Sequence, residues 1–427
     1  MEVHLKYGDR LITFSVPEEN AGPVLRPRRP PVAPDAEAFL ARELGPKLEQ
    51  ARPDCAGRDV LVLMADGTRD QPHRAGYAAL LPLLRDARAV RVLLATGTHR
   101  ADTPDDRRIM KEIAQASEAH RVPLASIGAH DCRTSAMYDA GTTAAGNAVR
   151  LNRLVQTADA ILIVSDTVPH YFAGYSNAVK FLLPGVAAFE CIERNHAFTL
   201  DPLATCCRHP LHPDPARRRN PLAEEQLEAA RFVTVQKPVY ALVMVSSGRG
   251  VSWATFGRLE PAVAEGIRFV DAHLVTRLDR RYRSAVISCG GYPNDETMYI
   301  AQRSLELTQE AVADGGEILW LAECRNGIAS SRETADSFFT PLKGDISSYI
   351  QQIRRRYVMF GHKAVRFAQL MDRLSALHVT SSLPAGTFPA GRMTACADPG
   401  LVVAAWVRRG DRILFIDEAN KQAVTAE

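Results

Sequence analysis

One feature constrains this chain above all: apolar runs of strand length alternate with polar clusters and helix-spaced stretches. Asp59 to Met64 (DVLVLM) runs into Ala65-Asp66-Gly67-Thr68-Arg69-Asp70-Gln71-Pro72. The stretch YAALLPLLRDA then leads to VRVLLAT, which ends in Gly97-Thr98-His99-Arg100. RRIMKEIAQASEAH, the loop AHDCRTS and TTAAGNAVRLNRLVQTAD separate that run from a third, Ala160 to Val164. Continuous apolar runs suit strands covered on both faces, and helical connections make such strands parallel. The pattern predicts an α/β fold with largely parallel sheets and helices on their faces.

Open α/β sheets bind ligands at the carboxyl ends of their strands. Three strand ends bring Arg69, His99 and His170 to that edge. An Arg is the bidentate partner of a carboxylate or phosphate, although an ordinary Asp-Arg turn pair with Asp66 reads equally well. After His170 come Lys180 and His196, in a segment broken by Gly174, Pro184 and Gly185. Two imidazoles and an amine on short pieces can serve metal ligation, proton transfer or covalent attachment. Residue chemistry leaves those three open.

The first 35 residues read as a strand pair and an extended Pro/Arg connector, VLRPRRPPVAP, followed by a helix in PDAEAFLARELGPKLEQA. After the basic loop HPLHPDPARRRNPL come the helix LAEEQLEAARFV, the strand VYALVMVSS and a helix around EPAVAEGIRFVDAHLV. A first domain is thus expected over 1–276 and a second over 277–427, whose last residues can return to the first. The second opens with AVISCGG, has a helix from about Asp295 carrying Tyr299 and Arg303 on one face, and continues with the strand EILWLAEC. Residues 333–380 read as helical, and LVVAAWV and RILFID as closing strands. The nearest approach to a dinucleotide fingerprint, Gly248-Arg249-Gly250, has Trp253 where a third glycine belongs.

Composition excludes several classes. A net charge of +3 gives no nucleic-acid surface. No run reaches the roughly 18 apolar residues of a membrane span. The N-terminal MEVHLKYGDRLITF has no signal-peptide core, and the 8 cysteines are irregularly spaced. Both point to a reduced, cytoplasmic setting. Cys206-Cys207-x-His209-x-x-His212 departs from zinc spacings and reads as a structural loop.

Taken in order, these motifs resemble the nickel-dependent lactate racemase family. The resemblance is carried by DGTRDQP at 66–72, GTHR at 97–100, HD at 130–131, LNRLVQTAD at 151–159 and PHYFAGYS at 169–176 with Lys180. LPGVA at 183–187, NH at 195–196, NPLAEEQLEAAR, GGYPND with Tyr299, and AECRNG at 323–328 extend it. The resemblance implies two α/β domains whose intervening cleft is the active site. It implies a nickel-pincer nucleotide, pyridinium-3-thioamide-5-thiocarboxylic acid mononucleotide with Ni, loaded by cofactor-synthesis enzymes. By the same resemblance Lys180 tethers the cofactor, His196 binds nickel, and His99 and His170 are paired acid/base groups. Arg69 holds substrate, and Asp66, Thr68, Thr98, Tyr299 and Arg303 contact the cofactor.

Those roles agree with elementary chemistry. Square-planar Ni(II) accepts nitrogen and sulfur donors, and inverting a 2-hydroxy acid in both directions asks for a proton carrier on each side. Two positions depart from the family. Asn177-Ala178-Val179 replaces a Gly-Gly-Arg lead to the lysine, and Tyr299-Ile300-Ala301-Gln302-Arg303 replaces Tyr-Gln-x-x-Lys. The expected function is racemisation or C2 epimerisation of a small-molecule 2-hydroxy acid, a larger one or a sugar acid rather than lactate. Lactate racemisation proper, a nicotinamide-dependent dehydrogenase and a non-catalytic nucleotide-binding protein are the alternatives. No nucleic-acid or membrane partner is expected.

Overall fold

Six strands, most of them apolar throughout, form the sheet that carries the predicted strand ends. In the computed structural model, which describes residues 1–248 and 250–426, its order is Gly250–Arg258, Val239–Ser247, Ala160–Asp166, Asp59–Ala65, Ala89–Ala95 and Leu124–Ala129. Only the Gly250–Arg258 edge pairs antiparallel; all other neighbours are parallel. Val60 to Met64 and Ile161 to Val164 are at most 1% exposed, as strands covered on both faces must be. On one face, Leu40, Leu44, Tyr77, Leu80, Ile109 and Ile113 pack against Val60, Val62 and Met64. They lie on the helices Ala36–Leu48, His73–Leu84 and Pro104–Ala119.

The Pro104–Ala119 helix begins with a full capping box. The Thr103 side chain accepts from Asp106 N, and the Asp106 side chain answers on Thr103 N. The other oxygen of Asp106 accepts from Gly67 N at 2.8 Å. A Cβ on Gly67 would stand 2.4 Å from Asp105 Cβ. The loop after Asp59–Ala65 is therefore seated on a helix start, where only glycine fits.

This sheet belongs to a unit formed by Pro30–Ala272; Met1–Arg29 and His273–Glu427 form the other. The sequence division at 276 lacks this return of the first 29 residues to the C-terminal unit. The reason is strand pairing. Ala21–Leu25 lies parallel to Ile413–Ile416 at the edge of a second six-stranded parallel sheet. The hairpin Glu2–Tyr7/Arg10–Ser15 buries Val3, Leu5, Tyr7 and Phe14 with Trp406 and Phe415. The last residues stay here too, Ala423–Ala426 pairing with Val275–Leu278.

Two expected elements differ. LVVAAWV is not a strand but most of the helix Pro399–Arg408. Asp398 caps it, Pro399 fills its first turn, and its buried residues are Val403 and Trp406, three apart. The expected helical stretch 333–380 ends in a strand, Ala376–Thr380. Of the Gly248-Arg249-Gly250 turn, Arg249 lies outside the described residues. Among the described residues, no helix is long and apolar enough to cross a membrane.

Candidate active site

Asp66 follows Asp59–Ala65 at the C-terminal edge of its sheet and is 2% exposed. Its Oδ1 accepts from Thr68 Oγ1 at 2.6 Å and its Oδ2 lies 2.6 Å from His99 Nδ1. Burial alone would raise the Asp66 carboxyl. Hydrogen bonds from His99 and Thr68, with the nearby Arg69 charge, hold it below the ordinary carboxylate range. An ionised carboxylate facing Nδ1 makes that nitrogen the donor and leaves the lone pair on Nε2. His99 is solvent-accessible, so this nitrogen is available to substrate. Its turn is tied down by His99 N donating to Thr96 O at 3.0 Å. Thr98, partly buried, lies between Gly97 and His99 in that turn.

A second group forms around Phe172. His170 packs edge-on to that ring at 4.4 Å between centroids, His196 at 5.5 Å, and Lys180 Nζ stands 5.8 Å above it. His170 ends a three-residue strand, Val168–His170, paired with Gly174–Ser176. Its Nδ1 accepts from Ala173 N at 3.2 Å, so the neutral ring carries its proton on Nε2. The two catalytic candidates thus stand in opposite tautomers. Lys180 lies in the 3-10 turn Ala178–Phe181, which Asn177 caps by accepting from Val179 N. Gly185 N bonds Lys180 O at 2.8 Å, while Gly185 O receives Gly97 N at 2.9 Å. That last bond joins the His99 turn to the lysine turn.

His196 lies in the last turn of the helix Phe189–Ala197, with Nδ1 2.9 Å from Ile192 O. Burial, then the Lys180 charge, lower its pKa to about 4. The ring is neutral, its Nδ1–H is spent on a carbonyl, and the Nε2 lone pair remains. Histidine ligands of metals are commonly arranged this way. Among the described residues, no three His, Cys, Asp or Glu side chains are grouped to hold a metal by themselves. His196 is thus suited as the one protein donor to an ion whose other ligands come with a cofactor. Lys180 beside it supplies the amine of this group.

The loop after His196 is structural support, built from residues whose spacing gave no ligand pattern. Asn220 Nδ2 donates to Phe172 O and Arg208 O at 2.9 and 3.1 Å. His209, 1% exposed, has its Nε2 3.3 Å from Asn177 Nδ2. Burial first, then His212 and Lys180, lower the His209 pKa to about 3. Cys206 and Cys207 are thiols with sulfurs 3.4 Å apart. Gly174 (φ +73°) passes so close beneath that a Cβ would stand 1.8 Å from Arg208 O. Gly174→Ala is expected to cost about 3 kcal/mol from overpacking and left-handed strain, read as a lowered denaturant midpoint. An unchanged midpoint would mean that the loop is not clamped here.

Tyr299 and Arg303 belong to the other unit, on the helix Met298–Thr308. Burial raises the Tyr299 pKa to about 12. Lys363, unnoticed in the sequence, stacks its ammonium 3.6 Å from the Tyr299 ring centroid and donates to Tyr299 O at 2.8 Å. Burial lowers its pKa to about 7. Sixty-four residues separate it from Tyr299, so no local spacing could have linked them.

Residues 7–206 match the family model described as the lactate racemase N-terminal domain. Two curated relatives carry the name lactate racemase. One, from Thermoanaerobacterium thermosaccharolyticum, is 27% identical over 335 residues, 76% of this chain and 75% of the relative. The other, from Lactiplantibacillus plantarum, is 26% identical over 340 residues, with the same coverage. Among solved structures, the lactate racemase apoprotein from T. thermosaccharolyticum superposes with a TM-score of 0.79 at 23% identity, over 99% of this chain and 100% of that one. A protein from Thermotoga maritima gives 0.62 at 17% identity, over 94% and 100%.

Proposed function

From its likeness to the lactate racemase family we propose that this chain is an isomerase, racemising or C2-epimerising a 2-hydroxy acid other than lactate with a nickel-pincer nucleotide. One observation carries the reading: the neutral His196 imidazole, its Nδ1 held by Ile192 O, shares the Phe172 ring with Lys180. That donor set fits the group. His196 Nε2 would ligate nickel and Lys180 Nζ would form the covalent tether. When bound, the nucleotide supplies a reversible hydride acceptor.

The chain's own residues handle binding and protons. Arg69 holds the substrate carboxylate as a bidentate partner. His99 Nε2, its lone pair left free by the Asp66 contact on the far nitrogen, takes the hydroxyl proton of one enantiomer. His170, carrying its proton on Nε2, returns one to the carbonyl oxygen on the way to the other. Asp66 thus serves His99 directly rather than only a cofactor. Thr68, Thr98, Tyr299 and Arg303 remain cofactor contacts in this proposal, and cofactor-synthesis enzymes are the partners for loading.

Lactate is disfavoured by Ile300, which stands where the family's lactate-type members have a glutamine and removes one polar contact. Ile300 is 38% exposed, so the lost contact is one in reach of water, worth about 1 kcal/mol or several-fold in discrimination. A panel of single-enantiomer acids offered to the loaded chain in deuterated water tests both parts. Inverted product with little deuterium at C2 is expected, because hydride returns unexchanged. Heavy C2 deuteration would replace hydride transfer by proton abstraction, and lactate as best substrate would refute the specificity.

The tether gives a direct mass measurement. Loaded wild type should show one cofactor increment that maps to the Lys180 peptide, and Lys180→Ala should show none. An increment on another lysine would overturn the assignment.

A further inference from the structure

We infer that His130 is a positioning residue, which fixes the turn carrying His99 against the segment that carries Lys180 and His196. The inference rests on the roles proposed above and adds to them a residue that acts through its neighbours. His130 follows Leu124–Ala129, the edge strand of the first sheet, and is fully buried. Its backbone seats the His99 turn. His130 N donates to Leu94 O at 2.9 Å, and Thr96 Oγ1 donates to His130 O at 2.5 Å. Thr96 O in turn accepts from His99 N at 3.0 Å.

The His130 ring reaches the other segment. Its Nε2 lies 3.0 Å from Ala187 O, and its Nδ1 lies 3.2 Å from Asn152 Nδ2. Asn152 Oδ1 accepts from Leu154 N at 3.0 Å, capping the helix Arg153–Thr157, so the amide nitrogen is the atom turned to the ring. A carbonyl at one ring nitrogen and an N–H donor at the other admit one tautomer, with the proton on Nε2 and the lone pair on Nδ1. A protonated ring would set Nδ1–H against the Asn152 donor. Burial opposes that charge as well and lowers the His130 pKa. Both nitrogens are thus engaged inside the protein.

The carbonyl that His130 holds belongs to a decisive stretch. Ala187 precedes Ala188, which starts the helix Phe189–Ala197 bearing His196. Asn152 N donates to Val186 O at 2.8 Å, and Gly185 N donates to Lys180 O at 2.8 Å. Gly185 O accepts from Gly97 N at 2.9 Å, which returns to the His99 turn. The imidazole therefore closes a loop of contacts through the base, the tether and the nickel donor. A misplacement of about 1 Å far from the chemistry can cost about 10²-fold in rate. Arg69 has its own support, because its loop is seated on the helix Pro104–Ala119 through Gly67 N and Asp106. Loss of the His130 ring should therefore fall on kcat and spare KM.

Hydrogen exchange of the unloaded full chain, together with kinetics of the loaded chain, tests this. His130→Phe keeps a ring and loses both bonds. It should speed exchange at the Gly97 and Gly185 amides by at least about tenfold. It should lower kcat by about 10–10²-fold with KM within about threefold. His130→Gln, whose amide nitrogen can take the Nε2 place and donate to Ala187 O, should return both readings to within about threefold of wild type. His130→Asn, which reaches only the Nδ1 place, should not. Nitrogen-15 NMR of the unloaded wild type should find the His130 proton on Nε2. Wild-type exchange and kcat in a folded His130→Phe would overturn the positioning role, as would His130→Asn matching His130→Gln or a proton on Nδ1. Where His130→Phe fails to fold, the comparison of the Gln and Asn variants decides. A loaded wild type that inverts no 2-hydroxy acid removes the proposed reaction, and exchange in the unloaded variants still decides whether His130 holds the two segments together.

Discussion

His99→Ala will lower turnover of the loaded chain by about 10²–10⁴-fold while the cofactor mass increment and nickel content stay at wild-type levels. The argument is geometric. His99 is held through Nδ1 by Asp66 at 2.6 Å, whereas Lys180 and His196 gather at the Phe172 ring. Asp66→Asn should approach the same loss, because an amide can present its NH₂ to Nδ1 and drive the proton to Nε2. In Ser-His-Asp enzymes the corresponding change costs about 10⁴ through the wrong tautomer. Nitrogen-15 NMR of the imidazoles separates this from a merely structural effect. In wild type His99 should carry its proton on Nδ1 and His170 on Nε2; in Asp66→Asn the His99 pattern should shift. Full turnover in His99→Ala, or identical His99 spectra in wild type and Asp66→Asn, would remove the dyad.

The second large effect is on acid stability. His209 and His196 have folded pKa values lowered to about 3 and 4 by burial, against about 6.5 when unfolded. A depressed folded pKa on a base means that the fold holds the neutral ring and the unfolded chain binds the proton. Stability from each is therefore complete above about pH 6.5 and is lost as pH falls toward 4 and then 3. Between pH 7 and 5 each costs about 2 kcal/mol. Asp166 opposes them. Burial raises its pKa to about 7, so its protonation on acidification restores about 2 kcal/mol over the same interval. The net loss from these three groups is about 2 kcal/mol, a large part of a typical margin of roughly 5–15. Denaturant unfolding at pH 7 and 5 should show it, and His209→Gln should remove about 2 kcal/mol of the pH dependence. A variant with the wild-type slope would mean that His209 titrates normally in the fold.

The buried state of His209 also shows where sequence reading stopped. As a spacing, Cys206-Cys207-x-His209-x-x-His212 carried no ligand geometry. Its role is to hold Asn177, which caps the Lys180 turn, and that is a contact across 32 residues. Gln71 was legible only as a member of DGTRDQP; its bond to Asp166 N spans 95 residues and appears only in the packed structure.

The long apolar runs and the polar clusters at their ends were settled by the chain itself. A buried strand must be apolar on both faces, and a parallel sheet must gather its strand ends on one edge, so Arg69, His99 and His170 could be read together. LVVAAWV marks the limit of such reading. Its composition suits a strand, yet Asp398 and Pro399 start a helix there, and only Val403 and Trp406 meet the core. Long-range pairing settled the rest. Ala21–Leu25 joined Ile413–Ile416 through a hydrogen-bond ladder spanning almost the whole chain. Asp66 met His99 across 33 residues, and His196 became neutral through burial. Local sequence governs which backbone conformation a segment adopts. Partnership and protonation depend on what is excluded from water beside it, and only the packed structure decides that.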